Sequence, residues 1–284
     1  MNPSQILVVI IAYYPDENIV KLTDYFLNRD LRILVVNNSE GKNEFLKKIE
    51  PRVTLLSDNR NKGIAEPLNI ALKFASDSNY KFILTLDQDS FPSENYLIEM
   101  EKTMLKFLED KKTYPAIIGP KYVYDDENIV SKDRSTHYSI VETIMTSGNI
   151  LNVNLFMQNN IWFNENYFID HVDHEICFQL QSKDLVVIES AHAVLHHELG
   201  YISTRKVFGK NISVYNHSPF RQYYIYRNYI WLYKMYNKKY KNWFHDSNRR
   251  LLKRFIKIIF FEEKKVLKIK AIAKGLKDGM LNEG

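Results

Sequence analysis

Four short aliphatic runs punctuate the first hundred residues of this chain. Ile6 to Ala12, Arg32 to Asn37, Val53 to Leu56 and Phe82 to Leu86 are rich in β-branched or aliphatic side chains and predict strands. Between several of them apolar residues recur at helical spacing: Ile19, Leu22, Tyr25 and Phe26 make one face, Leu68, Ala71, Leu72 and Ala75 another. Strands alternating with helices predict a largely parallel sheet covered on both faces, with ligands outside the carboxyl ends of the strands. The polar clusters fall at those ends. Tyr13, Tyr14 and Pro15 follow the first strand, Asn37, Asn38 and Ser39 the second, Asp58 to Gly63 the third, and Asp87 and Asp89 the fourth. Turn chemistry explains any one cluster. Four on one edge point to a nucleotide-diphosphate crevice.

The fourth strand lies in Lys81 to Ser90, KFILTLDQDS, where an apolar run ends in two carboxylates one residue apart. Strand alternation predicts that Asp87 and Asp89 point the same way while Gln88 points back. Hard cations such as Mg²⁺ or Mn²⁺ take oxygen ligands, and one or two carboxylates with substrate phosphates is their usual arrangement in phosphate chemistry. A solvated strand-to-loop turn, with Ser90 and Pro92 as breakers, uses the same residue types.

Composition narrows the class. With 284 residues and 45% apolar content the chain can bury a full core, as one large α/β domain or a domain with an appendage. The single cysteine, Cys177, excludes an internal disulfide framework and is compatible with a reducing compartment. The opening segment MNPSQILVVIIAYYPDEN has no basic leader and too short an apolar stretch for a signal peptide or span, so it is read as a buried strand. No other apolar run reaches the roughly 18 residues of a spanning helix. The expectation is a soluble or peripheral protein.

At this point the chain resembles a known family. Ala12-Tyr13-Tyr14-Pro15, Val36-Asn37-Asn38-Ser39, Asn61-Lys62-Gly63-Ile64-Ala65 with Asn69, and Asp87-Gln88-Asp89, in that order, look like the GT-A glycosyltransferases of family 2. Thr146 to Asn149, Phe168 to Glu175, His197 to Gly200 and Arg221 to Asn228 are similar to the bacterial rhamnosyltransferase branch, so the likeness covers roughly residues 5 to 230. It implies transfer of a sugar from a nucleotide donor with inversion at the anomeric carbon. Negative charge would develop on the departing diphosphate, and a bound divalent metal, Mg²⁺ or Mn²⁺, would neutralise it.

The resemblance also implies roles. Asp87 and Asp89 would hold the metal, with His197 as a further ligand from a His-x-x-Gly segment closed by Gly200; His196 is the near miss. Ala12, Tyr13, Tyr14, Asn37, Asn61, Gly63, Asp87 and Gln88 would bind the nucleotide. Asn37 departs from the aspartate of many relatives, which leaves its reading of the base in doubt. Ser147, Gly148, Asn149 and Asp170 would line the donor-sugar and acceptor side, although a plain turn uses the same residues. Asp173 would be the catalytic base. Helical spacing puts Val172, Ile176 and Leu180 on one side and leaves Asp173 to face a cleft; acidic residues in a first turn, here also Glu175, are equally favoured by the helix dipole. Arg221 and Arg227 could bind diphosphate or make ordinary helix-surface pairs.

The last segment differs. From Arg249 to Lys277 there are eleven Lys or Arg against two Glu, and apolar residues from Leu251 to Leu276 recur at roughly helical intervals. A basic amphipathic helix or helix pair lies well on an anionic membrane surface, at about 1 kcal/mol per basic residue; the alternative is a packing helix with a solvated basic face.

Two other classes fit less well. A nucleic-acid-binding protein would use the basic aromatic tail, yet the rest of the chain is acidic and carries the paired aspartates. A nucleotidyltransferase should show a Gly-rich basic loop near the first strand, and Ala12 to Glu17, AYYPDE, is not one. The expectation is a GT-A α/β catalytic domain over 1–215, its nucleotide-sugar half at about 1–120 and its acceptor half at about 121–215, with a basic helical extension over 216–284. The expected donor is dTDP-L-rhamnose, with a UDP-hexose the alternative. The expected acceptor is a glycan or lipid-linked glycan of bacterial surface polysaccharide, met on the inner face of the cytoplasmic membrane. No nucleic-acid partner is expected, and a homo-oligomer is compatible with the sequence.

Overall fold

The computed structural model describes residues 2–123, 136–197, 203–207 and 210–282. The chain forms two compact units: residues 1–165 with 172–198, and residues 166–171 with 199–284. In the first unit β1 (Ile6–Ala12), α1 (Asn18–Leu27), β2 (Arg32–Asn37), α2 (Glu44–Ile49), β3 (Thr54–Ser57), α3 (Ala65–Asp77) and β4 (Phe82–Asp87) follow in order. Then come β5 (Ser90–Pro92), α4 (Tyr96–Lys111), β6 (Ile117–Val123), β7 (Tyr138–Ile140), β8 (Asn149–Asn152), α5 (Val153–Gln158), α6 (Val172–Ser182) and β9 (Val187–His197).

The strands form one sheet in the order β3-β2-β1-β4-β8-β6-β9-β5, with β7 also paired to β9. The expected parallel pairing holds across β3, β2, β1 and β4 and between β6 and β9. β8 departs from it, lying antiparallel to both β4 and β6. Because α4 and β6 intervene before the chain returns, β8 joins the sheet by its long-range partners rather than by a local crossover. The continuous apolar run of β1 is what a strand covered on both faces requires. Ile6, Val8, Ile10 and Ala12 pack in one cluster with Ile19, Leu22 and Phe26 of α1, while Leu7 and Val9, pointing the opposite way, are buried too. Each of these Val, Leu, Ile and Phe side chains contributes about 1.5–3 kcal/mol by leaving water. Asn43 starts α2 by accepting from the Phe45 and Leu46 amides at 2.9 and 3.1 Å.

The second unit holds the antiparallel pair β10 (Ser203–Val207) and β11 (Lys210–Val214), then α7 (Pro219–Tyr236), α8 (Lys241–Phe261) and α9 (Lys265–Leu281). Ser218 caps α7 ahead of Pro219, accepting from the Arg221 amide at 3.2 Å. Ile225, Tyr226, Ile258 and Ile272 form its core, with Leu251, Phe255 and Leu276 packed against them. α7 and α9 meet almost backbone to backbone: a Cβ on Gly275 would lie 2.4 Å from the Tyr223 carbonyl oxygen. Among the described residues no helix is long and apolar enough to cross a membrane.

Candidate functional site

Register places the polar ends of three strands side by side. Ala12 pairs with Asn37, and Ile11 with Asp87, so the carboxyl ends of β2 and β4 flank the end of β1. β4 stops at Asp87, and Gln88 and Asp89 form a turn into β5. Strand alternation therefore does not reach Gln88 and Asp89, and Gln88 is engaged elsewhere. Its amide closes on the Tyr13 backbone, Oε1 accepting from the Tyr13 N–H at 2.8 Å and Nε2 donating to its carbonyl at 3.0 Å. That bond pair ties the metal-type turn to the loop after β1. Tyr14 sits there with φ of 45°, its N–H donating to Ser39 Oγ at 2.6 Å. The Tyr13 and Tyr14 rings are half exposed and meet edge to face at 4.8 Å. Two aromatic faces at a strand end suit a flat heterocycle.

Asn37 is buried, and both ends of its amide are used: Nδ2 donates to Ser57 Oγ at 2.9 Å and Oδ1 accepts from the Ser39 N–H at 3.0 Å. Asn38 and Asn61 shape the loop before α3. Asn38 donates to the Gly63 carbonyl at 2.7 Å and accepts from the Lys62 N–H at 2.7 Å; Asn61 accepts from the Gly63 N–H at 3.0 Å. Lys62 is held by Asp58 and Glu66, and these hydrogen bonds raise its pKa.

Beneath Asp87 lies the turn at Thr146 to Asn149. The Asp87 N–H donates to Ser147 Oγ at 2.9 Å, and Ser147 Oγ donates to Ser90 Oγ at 2.9 Å. Gly148, at φ 79°, brings its N–H to the Thr85 carbonyl at 2.6 Å. A side chain there would meet Leu195 at 2.7 Å and Pro120 at 2.9 Å. Two tyrosines that sequence reasoning passed over hold this turn. Tyr96 donates to the Gly148 carbonyl, and the Tyr122 hydroxyl bridges the Met145 and Ser147 carbonyls at 2.9 and 2.8 Å. Burial drives the Tyr122 pKa far up, reinforced by Tyr96 and by the negative charges of Asp173 and Asp87. The same tyrosine thus feels both the metal-type and the base-type carboxylate. Asn149 donates to the Met145 carbonyl at 2.6 Å.

β5 pairs antiparallel with β9, setting Ser90 opposite His197 and Phe91 opposite His196. Two motifs over a hundred residues apart thereby meet, Asp87-Gln88-Asp89 and the start of His-x-x-Gly. The His197 side chain and Gly200 lie outside the described residues. Asp173 stands in the first turn of α6, with Val172, Ile176 and Leu180 buried. Its Oδ1 accepts from the His174 N–H at 2.9 Å and lies 3.4 Å from His174 Nδ1; among the described residues Oδ2 receives no hydrogen bond. Glu175 is buried and accepts from Gln179 at 3.4 Å. Burial pushes the nearby Cys177 thiol up to about 12, so it is an inert core side chain.

The family model for glycosyl transferase family 2 matches residues 7–171, the whole stretch from β1 through the Ser147 turn to the residues before α6. The chain belongs to this family. The dTDP-rhamnosyl transferase RfbF of Shigella flexneri is 28% identical to this transferase over 238 residues, covering 79% of this chain and 78% of that protein. S. aureus TarS 1–349 in complex with UDP-GlcNAc superposes with a TM-score of 0.52 at 14% identity, covering 98% of this chain and 73% of that one. GalNAc-T7, solved with UDP, GalNAc and Mn²⁺, gives a TM-score of 0.61 at 11% identity over 97% of this chain and 56% of that one. At such identities these structures speak for the fold, which is GT-A.

In the transferase's second unit, Arg221 and Arg227 are engaged with the segment Asn166–His171. Arg221 forks onto Asp170, Nε at 3.0 and 3.2 Å from the carboxylate oxygens and Nη2 at 3.1 Å. Arg227 donates to the Asn166 carbonyl at 2.5 Å and to Asn228 Oδ1 at 2.8 and 3.0 Å, and lies 4.0 Å over the Trp231 ring. Asn228, fully buried, donates to the carbonyls of Tyr167, Ile169 and Asp170 at 2.7, 2.8 and 2.8 Å. The held segment contains three left-handed non-glycine residues, Phe168, Asp170 and His171. Arg221, Arg227 and Asn228 thus form a clamp on a strained stretch of backbone.

Proposed function

We propose that this family 2 transferase moves L-rhamnose from dTDP-L-rhamnose, with inversion, onto a glycan or lipid-linked acceptor of bacterial surface polysaccharide. The observation that carries the reading is the gathering on one sheet edge of Tyr13, Tyr14, Asn37, the Asp87–Asp89 turn and the backbone of His197. The rhamnose donor is supported by the likeness to RfbF over most of both chains; TarS with UDP-GlcNAc keeps a UDP-sugar as the alternative.

Asp87 and Asp89 suit a hard divalent cation: both are carboxylates, partly exposed, at a turn fixed from two sides. Among the described residues no three His, Cys, Asp or Glu side chains gather into a metal-binding group; substrate phosphates, with His197 as the further ligand, would complete the site. When bound, Mg²⁺ or Mn²⁺ would offset charge on the departing diphosphate. The rings of Tyr13 and Tyr14 stack the base, and the loop held by Asn38 and Asn61 brings Gly63 to the nucleotide. Gly148 lets the Ser147–Asn149 backbone approach the sugar.

Asp173 receives the acceptor hydroxyl's proton on Oδ2 while Oδ1 stays on the His174 N–H. The acceptor oxygen then bonds to the anomeric carbon as the bond to the diphosphate oxygen breaks on the opposite face, and the nucleoside diphosphate leaves with that electron pair. A panel of nucleotide sugars, screened for thermal stabilisation and for metal-dependent release of nucleoside diphosphate, tests the donor. Response to dTDP-rhamnose supports the proposal; response to UDP-hexoses alone refutes the rhamnosyl assignment.

A further inference from the structure

We infer that the outward face of α8, continued into the start of α9, is a docking surface for an anionic lipid bilayer. A helix lying on a protein core buries one apolar stripe and turns polar residues to water. α8 has two. Its inner stripe, Phe244, Leu251, Phe255 and Ile258, packs into the second unit. The outer stripe, Leu252, Ile256, Ile259 and Phe260, repeats at helical spacing on another side of the helix, and Leu252 and Phe260 are 61% and 65% exposed. Past the turn, Val266 and Leu267 of α9 are 65% and 56% exposed. Such grouping of large apolar side chains in water marks an interaction surface.

Charge selects the partner. Arg249 and Lys253 are exposed on the same helix, Lys264 and Lys265 at the turn, and no acidic residue occurs from Arg249 to Phe261. Of the two acids that directly follow it, Glu262 is withdrawn from the surface, buried 2.8 Å from Lys268 Nζ, and Glu263 remains exposed. An apolar stripe edged with cations fits a bilayer whose acyl region takes the side chains and whose headgroups take the charge, the basic stems reaching outward. A second copy of the chain on this face would set its cations against their own kind, at a cost in binding. The test of this surface reads partition rather than turnover.

The test is co-sedimentation of the full chain with vesicles of phosphatidylcholine alone or mixed with phosphatidylglycerol. Two variants accompany it: Leu252→Ser with Ile256→Ser and Phe260→Ser, and Arg249→Gln with Lys253→Gln. All five positions are exposed or outward, and circular dichroism confirms folding. The wild type should bind the mixed vesicles, and raised salt should weaken it. The charge variant should partition less by about fivefold per cation removed, and the apolar variant by roughly tenfold or more. Equal binding to neutral and anionic vesicles, no binding to either, or an apolar variant that binds like wild type overturns the inference. A serine variant that loses self-association in light scattering while vesicle binding is unchanged assigns the face to a second copy and overturns it as well.

Discussion

Replacing Asn228 with Ala should destabilise the second unit more than any surface substitution on α7. The Asn228 Nδ2 group serves the Tyr167, Ile169 and Asp170 carbonyls at 2.7 to 2.8 Å, and its Oδ1 anchors Arg227. Truncation strands buried acceptors, at about 1–3 kcal/mol for each group left unsatisfied. Because Nδ2 carries only two hydrogens, the sum is that of two bonds rather than three, roughly 3–5 kcal/mol with the lost Arg227 contact included. Phe168, Asp170 and His171, left-handed at φ 53°, 62° and 65°, add strain that the clamp no longer offsets. Asn228→Asp keeps the volume but sets an oxygen against three carbonyls, so it should cost at least as much. Urea unfolding read by tryptophan fluorescence is the assay, since Trp231 lies under the Arg227 guanidinium. A loss below about 1 kcal/mol for Asn228→Ala would refute the reasoning.

Other outcomes follow from the same geometry. Gly275→Ala would put a methyl group 2.4 Å from the Tyr223 carbonyl, forcing α7 from α9; a melting temperature unchanged from wild type would contradict that packing. His217 has its pKa lowered to about 3 by burial and then by Arg221, Arg254 and Lys268. The unfolded chain therefore binds this proton first, and stability should fall as pH drops from about 6.5 towards 3, by about 1 kcal/mol at pH 5 after allowance for solvent screening; His217→Asn should flatten that slope in melts across the same range. Ser147→Ala takes from the Asp87 N–H its side-chain acceptor and from Ser90 a buried donor, so stability should fall by about 1–3 kcal/mol in urea melts and metal-dependent donor binding should weaken as well, as titration calorimetry would show.

Much of the first unit was legible because its signals are local. The runs that predict β1, β2 and β4 coincide with the strands, and Ile19, Leu22 and Phe26 pack where their spacing places them. What escaped is non-local or depends on a single dihedral. Nothing near Tyr122 or Tyr96 in sequence says that their hydroxyls hold the carbonyls of a turn some 25 to 50 residues on. The β5–β9 pairing that sets Ser90 opposite His197 is likewise a property of register. The side-chain alternation expected at Asp89 failed because β4 ends at Asp87 and turns, a change of backbone that residue types alone do not announce. Arg221 and Arg227 were visible as a helical face, but the strained segment they hold was not, since a left-handed Phe168 runs against residue preference.

The most direct test of the proposed chemistry is the turnover of Asp173→Asn, measured beside its affinity for the donor nucleotide sugar. The amide keeps the side chain's shape and can still meet the His174 N–H, but it accepts no proton. Turnover should fall by about 10² to 10⁴ while donor affinity stays within a few-fold of wild type. Turnover retained above about a tenth, or a loss confined to donor affinity, would contradict the assignment of Asp173 as the base.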